Sequence, residues 1–463
     1  MGEKLKLIKG GNLIDPANGI NAPFDLLIRD GVVAEISASG FETSSFQDGL
    51  QVIDAFGLNV APGFVDVHSH FRDPGFTEKE DIHTGALAAA AGGYTSVVLM
   101  ANTSPAIDSV ELYKEVCARA AEEKINIYQS AAVTVGRAGK ELVCMEELAE
   151  AGVKGFTDDG SPITDEGLVI AAMQNAARLG RPLSFHEEEP SYIGVAGINE
   201  GEISGRLGLK GADRRAEIEM VRRDLELALR TGCGIDIQHV SARESVELIR
   251  EARKRDTAGL IHAEATPNHF SLTEEAVLRY GTNAKINPPL RTEEDRQAIV
   301  DALQDGTIDI IATDHAPHTA ADKARGGWFS NEGQYKKGAE PGEVEAGLFG
   351  KAPSGILGLE TAFSLSVKNL IRPGYLSLSG FIERISVNPA RLYGLNVGKL
   401  SVGSPADIVI FSDKLETEYG KFYSKSENSP FLGAVLPGKV LYTICGGRVV
   451  YDAAGRGMRT IDL

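Results

Sequence analysis

The chain has 463 residues, an apolar fraction of 43% and a formal net charge of -18. That charge argues against a nucleic-acid partner, whose phosphates demand basic patches, and leaves room for a small anionic substrate met by local arginines. No run of about 18 apolar residues occurs, so no membrane span is expected, and the length suits two or three domains, or one large barrel with an attachment.

The start, MGEKLKLIKGGNLIDPANG, lacks the apolar core of a signal peptide and reads directly into a strand and turn. Gly2 opens a myristoylation pattern that Lys6 breaks, where Ser or Thr is required. KLKLIKGGNLID, DLLIRDGVVAEIS and LQVIDAFGLNVAPG alternate apolar and polar residues between Gly, Asn and Pro, the texture of short strands. ADIVIFS and KVLYTICGGRVVYD, near the other end, have the same texture. Both ends carry a related string, Asp30-Gly31-Val32-Val33 and Gly447-Arg448-Val449-Val450. These patterns predict one small β domain built from residues 1–60 plus 397–463, with residues 61–396 inserted into it.

The inserted segment alternates eight short apolar runs with helical stretches. In order the runs are GFVDVHSH, TSVVLMANT, INIYQSAAV, VKGFTDD, PLSFHEE, GIDIQHVS, LIHAEATP and IDIIATDHAPH. Between them lie GALAAAAGG, ELYKEVCARAAEEK, VIAAMQNAARLG and LELALRTG, the last two closing on glycine, a helix C-terminal signal. Eight such units predict an α/β fold, a (β/α)8 TIM-like barrel carrying a small β-sandwich domain from both termini. An open doubly wound sheet would show a glycine-rich phosphate turn after its first strand, and none is present. Residues 319–350 break the rhythm: rich in glycine and charge, they hold the one tryptophan, Trp328, and read as a lid over the site. Cys117, Cys144, Cys233 and Cys445 are scattered and form no Cys-x-x-Cys pair, which predicts reduced thiols and a cytoplasmic protein.

Several runs end in metal-ligand chemistry. Val65-Asp66-Val67 leads into His68-Ser69-His70, and side chains two apart on a strand share a face, so both imidazoles can grip one cation. Other runs end in Asp158-Asp159, His186, His239 and Asp314. In a barrel these ends converge on one mouth. Imidazoles and carboxylates without thiolate suit an open zinc site. Four histidines and two carboxylates exceed what one tetrahedral ion can use, whereas two ions about 3.5–4 Å apart would use them all. His83, His262 and His269 read as structural, His315 as lying behind the site, and His318 as a substrate contact.

The strings HSHFRDPG, MANTSP, TDDG, SFHEEE, QHVS, INPPLR, ATDHAPH and APSGILGLET resemble a dihydroorotase of the larger bacterial type, within the amidohydrolase superfamily. The resemblance runs through the terminal strings SVNPARLYGL, GSPADIVIF and NSPFLGAVLPGKV. It implies a metal-dependent enzyme that hydrolyses and re-forms the ring amide of dihydroorotate against N-carbamoyl-L-aspartate, in pyrimidine synthesis. It assigns His68, His70 and Asp314 to a first Zn2+, His186 and His239 to a second, and Asp159 as the bridge. Alternation lets only one of Asp158 and Asp159 face the mouth, and the family's TDDG string favours Asp159. Asp314 would also be the catalytic acid and base. Arg72 would pair with the substrate carboxylate, with Asn102 and His318 adding hydrogen bonds. Asn287 would meet the ring amide, and the backbone of Pro353 and Gly355 the ring.

Where many relatives carry a bridging carboxylated lysine, the nearest lysine here is Lys154, near a strand start. That weakens the alternative of an allantoinase or hydantoinase. A second alternative is a non-catalytic dihydroorotase-like partner of aspartate transcarbamoylase, a kind of chain that loses metal ligands; all six candidates stand here. The resemblance also implies a homodimer and allows association with aspartate transcarbamoylase.

Overall fold

In the computed structural model, residues 5–42, 50–327, 346–453 and 459–460 are described. Residues 328–345, the larger part of the expected lid with its Trp328, lie outside them.

The two ends of the chain share one sheet. Its strands run in the order Arg448–Asp452, Val435–Cys445, Ile408–Glu418, Asn59–Pro62, Leu5–Asp15, Ile20–Arg29, Val32–Ser37, so the C-terminal strands join the N-terminal ones through antiparallel pairing of Ile408 with Pro62. A register shift between Ile8 and Gly11 lets the strand Leu5–Asp15 change neighbours along its length. Its first half pairs with Gln51–Asp54 and its second with Asn59–Pro62. Such a bulge bends the strand it interrupts. The turns that open these two related strings meet in space. A Cβ on Gly31 would lie 2.8 Å from the Gly446 carbonyl oxygen, and one on Gly447 2.7 Å from the Gly31 Cα. Both glycines have positive φ, so this contact between two hairpin turns is closed to larger residues on two counts.

The middle of the chain is a ring of parallel strands. Phe64–Ser69, Tyr94–Leu99 and Asn126–Gln129 pair in sequence. Parallel bridges from Ala131 to Phe156 and from Phe156 to Leu183 carry the ring on. Leu183–Phe185, Ile235–Ile237, Ile261–Ala265 and Ile310–Ile311 follow. A parallel bridge between Ser69 and His315 returns to the first strand. All eight sequence runs take part, the fourth through Phe156 alone. Phe64–Ser69 and Tyr94–Leu99 are buried on both faces, as expected for parallel strands wrapped in helices. The helices begin and end where local chemistry directs. Asp165 caps Glu166–Leu179 by accepting from Leu168 N, and Gly180 ends that helix at φ 61°. Arg215–Thr231 ends on Gly232 at φ 71°. Phe64, which opens the first barrel strand, packs with Phe363, Phe381 and Phe411 at ring separations of 5.6–6.2 Å, which ties the barrel to the terminal sheet through Phe411.

At the strand starts, opposite the candidate ligands, Asp309 closes a half-buried polar cluster. It accepts from His262 Nδ1 at 2.8 Å and pairs with Arg253 at 2.6 Å. Against the cost of burial, these partners hold its carboxyl below the ordinary 3.8. Its contribution to stability is therefore present above that pH and lost as pH falls through the lower folded-state value. Asp309→Ala should lower the unfolding free energy by about 2 kcal/mol at neutral pH, read by urea titration, with kcat unchanged because the cluster is remote from the mouth.

Candidate active site

The first strand and the last are stitched together at the point where they deliver their ligands. Asp66 accepts from Thr313 N at 2.8 Å and Thr313 Oγ1 at 2.6 Å, and His70 N donates to His315 O at 3.0 Å. Asp314, held between Thr313 and His315, therefore meets the His-x-His pair: its Oδ1 is 2.9 Å from His70 Nε2 and 3.5 Å from His68 Nε2. The two histidine rings lie 5.3 Å apart.

The paired aspartates divide by their contacts. Asp158 is spent on the preceding loop, accepting from Val133 N at 2.8 Å, Thr134 N at 3.2 Å and the Thr134 hydroxyl. Asp159 turns the other way. Its Oδ1 lies 3.5 Å from His68 Nε2 and 3.4 Å from His186 Nδ1, and its Oδ2 is 3.7 Å from His70 Nε2. Arg137 fixes this turn by donating to the Asp159 carbonyl at 2.6 Å and to Ser161 Oγ at 2.8 Å. His239 completes the group, its Nε2 3.0 Å from His186 Nδ1. The donors form two triads, His68–His70–Asp159 and Asp159–His186–His239, each with its ligand atoms within 4.8 Å of one another. Asp159 belongs to both.

The backbone is strained here. Among the described residues, five non-glycines have positive φ, and Arg72 (59°), Arg137 (56°), His239 (31°) and Asp314 (44°) are four of them. Strain of this kind persists where surrounding contacts over-determine a site.

Three of the imidazoles have an outer partner that sets which nitrogen faces inward. His68 Nδ1 is 2.9 Å from Glu264, His70 Nδ1 is 2.9 Å from Asn102 Oδ1, and His186 Nε2 is 3.4 Å from Glu188. His68 Nε2 is left buried with no hydrogen bond. The electrostatics point the same way. Burial disfavours charge throughout, yet Asp159 and Glu188 raise His186 to about 10, and Glu264 and Asp159 raise His68 well above 6.5. Burial and the neighbouring histidines hold His239 well below its usual value. Asp159 is held well below the usual carboxylate range, against burial, by His186 and His68. The site thus calls for positive charge at its centre, which a divalent cation would supply in place of two protons. The donor set fits a metal.

A cavity of about 220 Å³ opens over these groups, lined also by Arg72, Asn102, Asn287, His318, Ser354 and Gly355, and its lining contains no cysteine. Arg72 follows directly from the His-x-His strand. It donates to Pro317 O at 3.3 Å and lies 3.4 Å from His318 Nε2. Burial lowers its guanidinium to about 10, so it keeps its charge at neutral pH. Asn102 is more committed than its sequence suggests: besides His70, it reaches Asp159 Oδ2, donating at 2.7 Å. Asn287 donates to Glu188 at 3.1 Å and accepts from Ser354 Oγ at 2.9 Å. His318 Nε2 meets Ser354 O at 2.8 Å, and its Nδ1 is buried without a partner. The Gly355 N–H goes to Lys285 O at 2.8 Å and its carbonyl accepts from Asn428 at 3.0 Å, while the Pro353 carbonyl takes Lys323 Nζ at 3.0 Å. These backbone groups are already engaged.

The other histidines lie elsewhere. His83 is exposed beside Glu123. His269 bridges Thr266 and the Pro288 carbonyl. His315 contacts Glu80 at 3.4 Å and accepts from Gly358 N at 3.2 Å, behind the mouth. Lys154 sits over the Tyr128 ring at 6.0 Å. Cys233 and Cys445 are buried, Cys117 is half-buried and Cys144 exposed, all as free thiols. A larger cavity, about 680 Å³, opens among the strand starts around Arg253, His262 and Asp309, where none of the six candidate ligands lies.

Sequence reasoning missed Glu188, Glu264 and Asp236. A glutamate in the middle of an apolar strand, as in LIHAEATP, was the available signal, since such a carboxylate needs a buried partner.

Comparison with known proteins agrees with this geometry. The Dihydro-orotase-like family model matches residues 57–245. A dihydroorotase of Clostridioides difficile is 49% identical over 447 residues, covering 96% of this chain and 100% of the relative. The chain belongs to the dihydroorotase family. Another member, from Clostridium acetobutylicum, is 48% identical over 448 residues, covering 96% of this chain and 99% of its own. Among solved structures, the L-hydantoinase (dihydropyrimidinase) of Arthrobacter aurescens superposes with a TM-score of 0.81 at 26% identity, over 96% of each chain. A D-hydantoinase from Thermus sp. has a TM-score of 0.79 at 22% identity, over 98% of this chain and 97% of that one, and shows the fold alone. Dihydroorotases are metal-dependent cyclic amidohydrolases acting on small molecules, and the chain is an enzyme of that type. Among the described residues no helix is long and apolar enough to cross a membrane.

Proposed function

We propose that the chain catalyses the reversible hydrolysis of (S)-dihydroorotate to N-carbamoyl-L-aspartate, a step of pyrimidine synthesis, with two zinc ions. The observation that carries this reading is the carboxylate of Asp159, common to two three-donor groups, as a two-ion site requires. His68, His70 and Asp314 would hold one ion and His186 and His239 the other, with Asp159 between them. Divalent cations there would supply Lewis acidity toward the amide carbonyl and make water a stronger acid.

The protein's own groups do the rest. Asp314 takes the proton of the attacking water and delivers it to the departing ring nitrogen; in ring closure it takes a proton from the carbamoyl nitrogen. Arg72 pairs with the substrate carboxylate, its fork matching two oxygens. Asn102 keeps one amide hydrogen for that carboxylate after serving Asp159. His318 adds a hydrogen bond to it, and Asn287 meets the ring amide. A homodimer, cytoplasmic residence and association with aspartate transcarbamoylase belong to the same reading; sedimentation of the protein alone and with that enzyme tests the assembly.

The deciding assay follows dihydroorotate, hydantoin and allantoin side by side, before and after chelation and zinc return. Dihydroorotate should be consumed, lost as a substrate after chelation and restored by zinc; preference for hydantoin would overturn the substrate assignment. Arg72→Met should raise KM for dihydroorotate by about 10- to 100-fold, the worth of a charge-assisted hydrogen bond, with a smaller change in kcat. An unchanged KM removes Arg72 from the carboxylate site.

A further inference from the structure

Two carboxylates inside the barrel are not used by the reaction. Glu264, on the strand Ile261–Ala265, and Asp236, on the neighbouring strand Ile235–Ile237, are both fully buried. Glu264 Oε2 accepts from His68 Nδ1 at 2.9 Å, and Asp236 Oδ2 accepts from Ser184 Oγ at 3.1 Å. The remaining oxygens, Glu264 Oε1 and Asp236 Oδ1, are buried without a donor, although the two carboxyls are within hydrogen-bonding reach of each other. A proton between two such oxygens would satisfy both. Burial and the neighbouring Glu264 hold the Asp236 carboxyl well above the usual range.

We propose that Glu264 and Asp236 are positioning residues for the metal site, a two-carboxylate buttress that fixes His68 with Nε2 bare toward Asp159 and Asp314. A proton shared between Asp236 and Glu264 ties the two carboxyls together, and Glu264 accepts from His68 Nδ1. The effect is confined to one side of the site. His70 leans on the neutral amide of Asn102, and His186 on Glu188, a carboxylate that reaches the cavity lining. His68 alone is backed by a carboxyl group with no exposure. Stability does not account for this arrangement: an apolar pair of similar volume is commonly as stable as buried charges or more so. An anion behind a ligating imidazole makes it a stronger and better-aimed donor.

The inference rests on the two-ion reading, and its test separates the two. Metal-stripped wild type, Glu264→Gln and Asp236→Asn are titrated with zinc against a chromophoric chelator. The visible spectrum of each cobalt-loaded protein and the thermal unfolding of each metal-free protein are recorded alongside. E264Q should bind one zinc of the pair about 10- to 100-fold more weakly, leave the other unchanged, alter the cobalt spectrum and unfold no earlier than wild type. D236N should shift the same ion in the same direction by less. Should E264Q not fold, Glu264→Asp, which keeps the charge but withdraws it from Nδ1, should show the selective loss. Wild-type affinity for both ions and an unchanged cobalt spectrum in the folded variant would overturn the buttress while leaving the metal reading intact. A wild-type protein that takes up no metal overturns both.

Discussion

Asp159→Ala should remove metal and turnover together. Each candidate histidine serves one triad and Asp314 lies beside the first, whereas Asp159 serves both, with oxygens 3.4–3.7 Å from His68, His70 and His186. Without it three imidazoles crowd together with no central anion, and two cations brought side by side would repel unscreened. The expected result is loss of at least one equivalent of bound zinc and a fall in kcat of about 10³-fold or more. Asp158→Ala is the matched control. Its carboxylate serves Val133 and Thr134, so its loss should cost stability and leave zinc stoichiometry intact. Elemental analysis and turnover of the two variants decide; the reverse pattern would exchange the roles of the neighbours.

Asp314→Ala should abolish turnover while sparing substrate binding. Against burial, the hydrogen bond from His70 and the nearby histidine charges hold its carboxyl down to about 2, so at neutral pH it is ionised and able to accept a proton. Removing a group that accepts and returns a proton in one cycle should lower kcat by about 10²- to 10⁴-fold. Arg72, which meets the substrate carboxylate, is untouched, so KM should change only a few-fold. The ion held by His186, His239 and Asp159 should remain. Substantial activity in this variant, or a large rise in KM with kcat kept, would remove Asp314 from the proton-transfer role.

The parts of this site that were legible in the sequence are those set by local periodicity. His68 and His70 are two apart on a strand, and His186, His239 and Asp314 each follow an apolar run, so a barrel carries all of them to one end. The barrel itself could be read from its eight runs, although the fourth contributes Phe156 alone to the ring. What could not be read depends on neighbours distant in sequence. Asp158 is turned from the cavity by a loop some 25 residues earlier. Asn102, expected as a substrate contact, is also held by His70 and Asp159 on either side of its amide. Glu264 acquires a purpose only when the barrel sets it against His68, 196 residues away. At the register shift between Ile8 and Gly11, a Cβ on Gly11 would lie 2.4 Å from Val60 Cγ2 and 3.1 Å from Ala55 Cβ, a closeness that local sequence does not reveal.

Two cations sharing Asp159 are the centre of this description. Anomalous diffraction from crystals of the zinc-loaded protein, collected on either side of the zinc absorption edge, tests it most directly. Two peaks flanking the Asp159 carboxylate, one toward His68 and His70 and the other toward His186 and His239, are expected. A single peak, or peaks remote from Asp159, would contradict it.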